Sequence, residues 1–272
     1  MLTTDAERAA ARQSASGPLP GEGDREKREY VQRMFSDIAP RYDTLNHILA
    51  LNIDRGWRRR AISALNFERK PDGVYLDVCA GTLDIAASIS RQPGFRGVVI
   101  GADFAEPMLR AGRRKAEAAH PVAADAVQLP LGDDTVSGAI VAFGIRNVAG
   151  LDRCLDEIFR VLEPGARFVI LEFSTPRAPV FAGLYRFYFH HVLPKIGGAL
   201  SGHPTAYSYL PRSVDEFPEE ADLARRMRAS GFIDISWSRL TFGIVAIHVG
   251  CKPSPESIPE IVRMTGSNAG SF

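Results

Sequence analysis

The chain has 272 residues, of which 45% are hydrophobic and 24% are charged, and 33 basic side chains nearly balance 32 acidic ones. This composition is typical of a globular protein and excludes a wholly disordered chain, a collagen and a bundle of membrane helices. Its near-neutral charge also argues against sequence-independent binding of nucleic acid, which usually needs a clearly basic surface. The three cysteines lack the spacing of a metal site or a redox pair. We therefore expect no metal, reduced thiols and a cytoplasmic protein.

The two ends of the chain differ from its middle. Residues 1–24 and 253–272 are rich in small, charged and proline residues without periodicity, which predicts a disordered N-terminal tail and a flexible C-terminal tail. The beginning lacks the apolar run of a secretory signal, and no apolar stretch approaches the roughly 20 residues of a membrane span. A single folded domain is predicted over residues 25–252.

Apolar runs alternate with helical patterns along this domain. Strands are predicted at residues 74–79, 97–102, 122–124, 136–143 and 166–173, with two more ending at Gly250. Helices are predicted from Asp84, from Pro107, and over residues 151–162 and 219–230. The strands are continuously apolar instead of alternating, which indicates a parallel sheet covered on both faces. The sequence therefore predicts a doubly wound α/β fold.

Two segments interrupt this alternation. Residues 25–66 have the pattern of two or three N-terminal helices, and residues 177–212 contain a dense aromatic block at 181–193. Ligands of doubly wound sheets bind outside the carboxyl ends of the strands. We therefore predict that residues 25–66 form a helical cap over that edge and that residues 177–212 form a lid.

The first strand is followed by a turn of small residues and a helix. The turn contains Gly81, and Asp103 ends the second strand 22 residues later, which is the usual spacing between a nucleotide-binding turn and a ribose-binding acid. If Gly81 is the second glycine of the dinucleotide-binding pattern Gly-x-Gly-x-x-Gly, Asp84 stands at the third glycine position. Its carboxylate would repel the pyrophosphate of a dinucleotide. S-adenosylmethionine carries a sulfonium and an ammonium, which Asp77 and Asp84 would attract. The turn thus favours S-adenosylmethionine over a dinucleotide, and Asp84 can also cap the helix.

Several segments of the chain are similar to those of a known family. The segments are Met34 to Asp43, Gly81-Thr82, Gly101 to Phe104, Phe143 to Val148, Arg160 to Gly165, Leu171 to Ser174 and Gly243 to His248. Through them, residues 30–251 resemble the ubiquinone/menaquinone-biosynthesis C-methyltransferases, class I enzymes that use S-adenosylmethionine to methylate a ring carbon of a prenylated quinol. The resemblance implies a Rossmann-like, mostly parallel seven-stranded sheet with an antiparallel last strand. It also implies conversion of demethylmenaquinol to menaquinol, or the equivalent benzoquinol step of ubiquinone synthesis.

The resemblance also implies which residues bind the cofactor. They are Gly81 and Thr82 at the turn with Asp77 beside it, Asp103 on the ribose hydroxyls, and Asp125 and Ala126 around the adenine. A carboxylate can accept hydrogen bonds from two vicinal hydroxyls, and an acid after the third strand can accept one from the adenine amino group. These donors and acceptors suit S-adenosylmethionine.

Catalysis is assigned to Arg146 and Asn147, which follow the fourth strand. A quinol carbon becomes nucleophilic when a neighbouring hydroxyl loses its proton, and a fixed cation with an amide would stabilise that phenolate. Arg146 would alternatively orient a water as proton acceptor, because arginine itself does not deprotonate. A strand-end pair that only connects loops is the other interpretation.

The sequence leaves other roles open. His190, His191, His203 and His248 are candidate general bases, although each is more often a structural imidazole. Glu172 is either a base acting through water or a loop anchor. Tyr42, Tyr207 and Tyr209 are candidates for hydrogen bonds to the quinol oxygens. The aromatic block at 181–193 is a candidate contact for the prenyl tail, with core packing or a homodimer surface as alternatives, and a bilayer-dissolved substrate implies contact with the inner membrane face.

Two positions depart from the family pattern. The third glycine of the family's turn is Leu83 in this chain, and the serine that usually opens the Ser-Phe-Gly segment is Ala142. A leucine with a positive φ would be strained, and we expect its side chain to crowd the methionine end of the cofactor. This departure motivates an alternative, a non-catalytic partner subunit with the methyltransferase fold. A methyltransferase of another small aromatic substrate is a further alternative.

Overall fold

The structure is a computed structural model that describes residues 24–39, 42, 52–178, 182–183, 185, 187–192 and 204–257. Most of the two predicted tails, and parts of the predicted cap and lid, lie outside these residues. Asp24, assigned to the N-terminal tail, instead begins a helix and pairs with Arg153 at 2.7 Å. Pro255–Ser257, assigned to the C-terminal tail, form a short 3₁₀ turn.

Seven strands form one sheet in the described part of the chain. They are β1 Val74–Val78, β2 Val98–Asp103, β3 Ala119–Ala123, β4 Val136–Ala142, β5 Leu162–Phe173, β6 Ile233–Leu240 and β7 Val245–Cys251. Their order is β3-β2-β1-β4-β5-β7-β6, and β7 runs antiparallel to both of its neighbours. The predicted doubly wound, mostly parallel sheet with an antiparallel last strand is confirmed.

Seven α-helices whose bounds lie within the described ranges connect or cover these strands. They are α1 Asp24–Ile38, α2 Asp54–Leu65, α3 Asp84–Ser90, α4 Glu106–Gly112, α5 Leu151–Val161, α6 Pro204–Asp215 and α7 Glu220–Ala229. The lid also contains a π-helical turn at Tyr188–Val192. Among the described residues, no helix combines the length and the apolar character needed to cross a bilayer.

Two observed strands begin earlier than predicted: β5 begins at Leu162 and not at residue 166, and β3 also begins early. The sequence placed the third strand at residues 122–124, whereas β3 begins at Ala119. His120 and Pro121 interrupt the apolar run, and proline removes a backbone donor from the ladder. The strand tolerates this proline because β3 lies at the edge of the sheet.

The core lies in two layers, one on each face of the sheet. Adjacent strand residues point to opposite faces, so that Tyr75 packs in the layer containing α2 and α3, and Leu76 packs in the layer containing α5 and α7. Val169 and Phe168 of β5 divide between the layers in the same way. Burial of both faces explains why the strands are continuously apolar. The helices leave the carboxyl edge of β1, β2 and β4 available for a site.

Leu83 has the left-handed backbone that its position predicts, with φ 63° and ψ 26°. The expectation that its side chain crowds the cofactor is wrong. The side chain is fully buried in the core layer of α3, and a Cβ added to Gly101 of β2 would lie 2.4 Å from its Cδ2. Leu83 therefore fills the space that a glycine on β2 leaves, and the alternative of a non-catalytic subunit loses its motivation.

Two substitutions at Leu83 separate packing from strain. Leu83→Ala and Leu83→Gly each delete the buried side chain, and we expect each to lower the free energy of unfolding by about 2–4 kcal/mol. Only glycine relieves the left-handed backbone, so Leu83→Gly should be more stable than Leu83→Ala by about 1 kcal/mol. Urea denaturation of the three proteins measures both differences. A glycine variant as stable as the wild type would contradict the packing role.

Candidate active site

An open cleft lies at the carboxyl edge of β1, β2 and β4. Of the predicted site residues, Gly81, Asp103, Asp125, Ala126 and Asn147 line it. The cleft is also bordered by Arg28 and Phe35 of α1, by Tyr42, by Phe104 and Met108 after β2, and by Phe143 and Gly144 after β4. The cap and the three central strands therefore build the cleft together, as the topology of a doubly wound sheet predicts.

Asp103 is the best-supported acid in the cleft. Its Oδ2 accepts a hydrogen bond of 2.8 Å from the backbone N–H of Gly81, and its Oδ1 accepts one of 2.8 Å from Ala105. Burial raises the pKa of Asp103, and these two backbone hydrogen bonds oppose the rise. Gly81 has φ 51°, a conformation that glycine adopts at little cost. The turn after β1 and the end of β2 are thus joined, and the carboxylate keeps acceptor sites for ligand hydroxyls.

Asp77 and Thr82, both predicted in the site, lie behind the turn and do not line the cleft. Asp77 is 1% exposed, and its Oδ2 accepts a hydrogen bond of 3.0 Å from Ala86 in the first turn of α3. Burial raises the pKa of Asp77 to about 8, so this side chain is mainly neutral at pH 7. The buried hydroxyl of Thr82 accepts a hydrogen bond of 3.1 Å from Lys115. Both residues support the turn from within.

Asp84 does not offer an uncompensated charge to a cationic ligand. One of its oxygens binds the ammonium of Lys115, and the other lies 3.6 Å from the guanidinium of Arg58. Asp84 is thus paired with two cations, and burial raises the pKa of Asp77, while the attraction of a sulfonium or ammonium by these two acids stays a prediction. Asp84 is the first residue of α3, where an acid stabilises the helix.

The helix α1 adds a residue that sequence reasoning missed. Nη2 of Arg28 lies 2.9 Å from Oδ2 of Asp125, and both side chains line the cleft. The same helix is held to the strand ends by Gln32, which donates to the carbonyl of Phe104 at 2.9 Å, and by Lys27, which donates to the carbonyl of Arg146 at 3.1 Å. Only the folded chain brings α1 to the segment after β3. No local pattern marks Arg28.

Arg146 and Asn147 form a 3₁₀ turn directly after β4, and they point in different directions. The buried guanidinium of Arg146 binds Oε1 of Glu172 at 2.8 Å, the carbonyl of Phe143, and the hydroxyl of Ser213 at 3.3 Å. Its Nη2 makes no hydrogen bond with the described residues.

Asn147 occupies the opposite side of this turn. Its side chain lines the cleft, and its buried Oδ1 accepts no hydrogen bond from the described residues. An unsatisfied buried amide oxygen is costly, about 1–3 kcal/mol, and such atoms are uncommon outside functional sites. The carbonyl end of Asn147 is therefore a candidate ligand contact.

Glu172 is the anchor of the Arg146 turn. Its Oε1 also accepts a hydrogen bond of 2.9 Å from the backbone of Phe173, and its Oε2 accepts one of 3.4 Å from the backbone of Arg146. Burial raises the pKa of Glu172, which the guanidinium of Arg146 opposes. Between the two interpretations left open by the sequence, the geometry favours the loop anchor.

Two phenols of the lid region lie near this pair. The hydroxyls of Tyr185 and Tyr209 are buried and have no hydrogen-bond partner among the described residues. Burial raises the pKa of both, so they remain protonated donors at neutral pH, and the charge of Arg146 acts on each. Tyr209 was predicted and Tyr185 was not, because the aromatic block gives no sign of which ring points inward. The side chain of Tyr207 lies outside the described residues.

The histidines do not supply a base in the described part of the site. His248 lies on β7, where its Nε2 is 3.0 Å from the carbonyl of Glu220 and its ring stacks on Trp237 at 5.9 Å. Burial lowers its pKa, and it does not line the cleft. His191 is exposed on the lid, while His203 and the side chain of His190 lie outside the described residues. His248 has a structural role.

Comparison with known proteins agrees with this geometry. The model of the ubiE/COQ5 methyltransferase family matches residues 24–252. The demethylmenaquinone methyltransferase of Thermus thermophilus is 47% identical over 81% of this chain and all of its own length. The ubiquinone/menaquinone biosynthesis C-methyltransferase of Geobacter sulfurreducens is 45% identical over 84% of this chain and 90% of its own length.

A solved structure shows the same fold at low identity. An S-adenosylmethionine-dependent methyltransferase of Thermotoga maritima, described as a possible histamine N-methyltransferase, superposes with a TM-score of 0.59 at 17% identity. The alignment covers 82% of this chain and 99% of that one. The strand order and the cleft at the ends of β1, β2 and β4 thus define a class I S-adenosylmethionine-dependent methyltransferase. Within that class, the chain belongs to the ubiE/COQ5 methyltransferase family.

The raised pKa of Asp77 predicts a pH-dependent effect of Asp77→Asn. A buried carboxyl with a pKa of about 8 contributes stability at low pH that is lost as the pH rises from about 4 towards 8. Asparagine does not titrate, so the variant should gain on the wild type by roughly 1 kcal/mol per pH unit between pH 5 and 8.

Urea denaturation of both proteins across this pH range measures the difference, and Asp156→Asn, at an exposed position, controls for the loss of one charge. A stability difference that does not vary with pH would contradict the assignment of a neutral Asp77.

Proposed function

We propose that this methyltransferase transfers the methyl group of S-adenosylmethionine to a ring carbon of a prenylated quinol, as in the conversion of demethylmenaquinol to menaquinol or the equivalent benzoquinol step. The family match supports the reaction class, and the names of the two relatives above support the substrate. The observation that carries the proposal is the turn after β4, where Asn147 faces the cleft and Arg146 keeps a fixed cation beside it.

The residues of the cleft suit S-adenosylmethionine. Asp103 offers carboxylate oxygens to two ribose hydroxyls, and Gly81 lets a ligand approach the backbone closely. Ala126 and the Arg28–Asp125 pair lie where the resemblance puts the adenine. When bound, S-adenosylmethionine supplies an electrophilic methyl group on a positively charged sulfur. Arg28 is not a predicted cofactor residue. It pairs with Oδ2 of Asp125, and Oδ1 accepts a hydrogen bond of 3.2 Å from the backbone of Val127, so the adenine amino group would use a remaining lone pair of one of these oxygens.

Arg146 and Asn147 act on the quinol in this proposal. A ring hydroxyl must lose its proton before the adjacent carbon becomes nucleophilic, and the guanidinium of Arg146, whose Nη2 has no partner among the described residues, can stabilise the resulting phenolate in a dry environment. The Oδ1 of Asn147 can accept a hydrogen bond from a ring hydroxyl or from a water that takes the proton. Transfer would break the sulfur–methyl bond and release S-adenosylhomocysteine as a neutral thioether. The ring carbon would then lose its proton to solvent and the ring oxygen would regain one, which restores the aromatic quinol.

Glu172 and the two phenols position these groups. The buried Arg146–Glu172 pair holds the guanidinium in one orientation, which avoids reorganisation during the reaction. The hydroxyls of Tyr185 and Tyr209 are protonated and unpaired within the described residues, so they can donate to the oxygens of a quinol. Tyr42 lines the cleft and contacts Phe35 at a ring distance of 5.9 Å, which places it between the cofactor region and the lid.

The aromatic block separates into two kinds of residue. Phe189 is buried and contacts Phe173 and Tyr185, whereas Phe187 is 57% exposed. Phe181 and Leu193, at the ends of the block, lie outside the described residues. Phe187 is thus the better candidate for contact with the prenyl tail. The burial of Phe189 is explained by its packing against Phe173 and Tyr185.

The proposed role of Asp103 predicts a loss of cofactor affinity. We expect Asp103→Ala to weaken binding of S-adenosylmethionine by about 1.5–3 kcal/mol, because charge-assisted hydrogen bonds to the ribose are lost. Isothermal titration calorimetry measures this change. Asp84→Asn is a matched control on the same turn, since Asp84 is paired away from the cleft, and it should bind almost as the wild type does. Equal losses in both variants would point to a general disturbance of the turn.

The role of Arg146 needs a variant that leaves no buried charge alone, since removing one partner of a buried pair costs about 3–5 kcal/mol. In the double variant Arg146→Gln with Glu172→Gln, two neutral amides replace the pair. We expect the turnover number to fall by roughly 10²–10³-fold, while the dissociation constant of S-adenosylmethionine changes little. Steady-state kinetics and calorimetry give the two values. Full turnover in the double variant would show that Arg146 only connects the loops.

A further inference from the structure

A lysine of the cap helix contacts the turn that carries Asn147. Nζ of Lys27 in α1 donates a hydrogen bond of 3.1 Å to the carbonyl of Arg146 and one of 3.4 Å to the carbonyl of Val148. These carbonyls belong to the residues directly before and directly after Asn147 in the chain. A single ammonium group therefore joins the backbone on both sides of a residue that lines the cleft.

These contacts fix the backbone at Asn147. The peptide unit between Arg146 and Asn147 is held at both ends, because its carbonyl accepts from Lys27 and its N–H donates to the carbonyl of Gly144 at 3.0 Å. The N–H of the next peptide unit donates within the same turn at 3.1 Å, and the carbonyl of the unit after it accepts the second hydrogen bond of Lys27. Peptide units are planar, so fixed units on both sides set φ and ψ of Asn147 and thereby the direction of its side chain.

The helix that carries Lys27 has other attachments to the domain. Val31 and Ile38 of α1 are buried, and the side chain of Gln32 donates to the carbonyl of Phe104 at 2.9 Å. These contacts do not involve the turn after β4. A substitution at Lys27 can therefore remove the contacts to the turn while α1 stays on the domain.

The ammonium of Lys27 lies in an unfavourable environment for a cation. The side chain is half-buried, and burial lowers its pKa; the charges of Glu216 and Asp24 oppose this decrease, whereas the charge of Arg146 adds to it. Among the described residues, the partners of Nζ are the two backbone carbonyls and not a carboxylate. A partly desolvated cation is costly unless its hydrogen bonds offset the cost. The two carbonyls of the turn explain why a lysine occupies this position.

We propose that Lys27 is a positioning residue for methyl transfer, which holds the backbone around Asn147 so that its side-chain amide faces the quinol. This inference rests on the proposed function, which assigns Asn147 to the quinol. Lys27 is not among the residues that line the cleft, so it acts through the turn and not on the substrate. A polar group that is fixed before the reaction needs no reorganisation during it.

Two variants at position 27 separate the hydrogen bonds from the rest of the side chain. Lys27→Met keeps the length and the apolar stem but has no donor, and we expect its turnover number to fall by roughly 10–100-fold while the dissociation constant of S-adenosylmethionine changes less than about 2-fold. Lys27→Arg keeps a cation with N–H donors and should recover most of the turnover. Steady-state kinetics and calorimetry measure these values, and urea denaturation shows that each variant is folded.

Arg33→Met is the matched control. Arg33 is an exposed cation of the same helix, and its Nε donates to the carbonyl of Glu29 within that helix at 3.3 Å. This variant should turn over as the wild type does. Equal losses of turnover in Lys27→Met and Arg33→Met, or a Lys27→Arg variant as slow as Lys27→Met, would overturn the inference.

A double-mutant cycle tests whether Lys27 acts through Asn147. If it does, adding Lys27→Met to Asn147→Ala should reduce the turnover number by less than about 2-fold, because residues that act through one group have non-additive effects. If Lys27→Met costs as much in the Asn147→Ala background as in the wild type, Lys27 does not act through Asn147 and the inference is wrong.

Hydrogen–deuterium exchange tests the contact without any substrate. In peptides that cover the turn, the N–H groups of Asn147 and Val148 should exchange at least about 5-fold faster in Lys27→Met than in the wild type or Arg33→Met, because the turn opens more easily. Unchanged exchange in Lys27→Met would overturn the inference whatever the reaction. A wild type that methylates no prenylated quinol, together with faster exchange in Lys27→Met, would refute the proposed function and support the contact between Lys27 and the turn.

Discussion

The buried ion pair between Arg146 and Glu172 is the interaction on which the rest of the site depends. It joins the turn after β4 to the end of β5, and the same guanidinium reaches Phe143 and Ser213, so that strand ends and lid meet at one group. Two charges buried together cost desolvation energy, which their attraction and further hydrogen bonds must offset. Here the backbone N–H groups of Phe173 and of Arg146 itself donate hydrogen bonds to the carboxylate of Glu172. The pair therefore specifies one arrangement of this edge of the sheet, and Asn147 lines the cleft because Arg146 is held on the other side of the turn.

A second constraint is the way the first two strands share Asp103. The carboxylate accepts from the turn after β1 and from the segment after β2, which closes the cofactor side of the cleft before any ligand arrives. The acids behind this turn support it differently: Asp77 is neutral through burial, and Asp84 is paired with Lys115. The charge that each acid presents to a ligand thus depends on its burial and pairing in the folded chain, and not only on its position in the sequence. Position relative to the cleft decides which carboxylate acts on a ligand.

The cap helix α1 and the lid region cover different sides of the cleft. The cap helix α1 lies over the cofactor side, where Arg28, Lys27 and Gln32 each bind a different strand end. The lid region lies over the Arg146 side, where Tyr185 and Tyr209 bring hydroxyl donors into an apolar environment. A methyl transfer needs such a division, because donor and acceptor molecules approach one another from two sides of a dry site.

The sequence by itself determined the doubly wound fold, the strand that carries Asp103 and the turn that carries Arg146 and Asn147, because apolar periodicity and the spacing of turn residues are local properties. It also marked Leu83 as a residue that would be strained wherever the turn needs a positive φ. Only the tertiary structure decided that the Leu83 side chain enters the core opposite Gly101, and that Asp77 and Thr82 lie behind the turn. It likewise decided that Arg28 pairs with Asp125 and Arg146 with Glu172. These contacts join residues far apart in the chain, and the direction and burial of a side chain follow from which elements pack together, which no local pattern records.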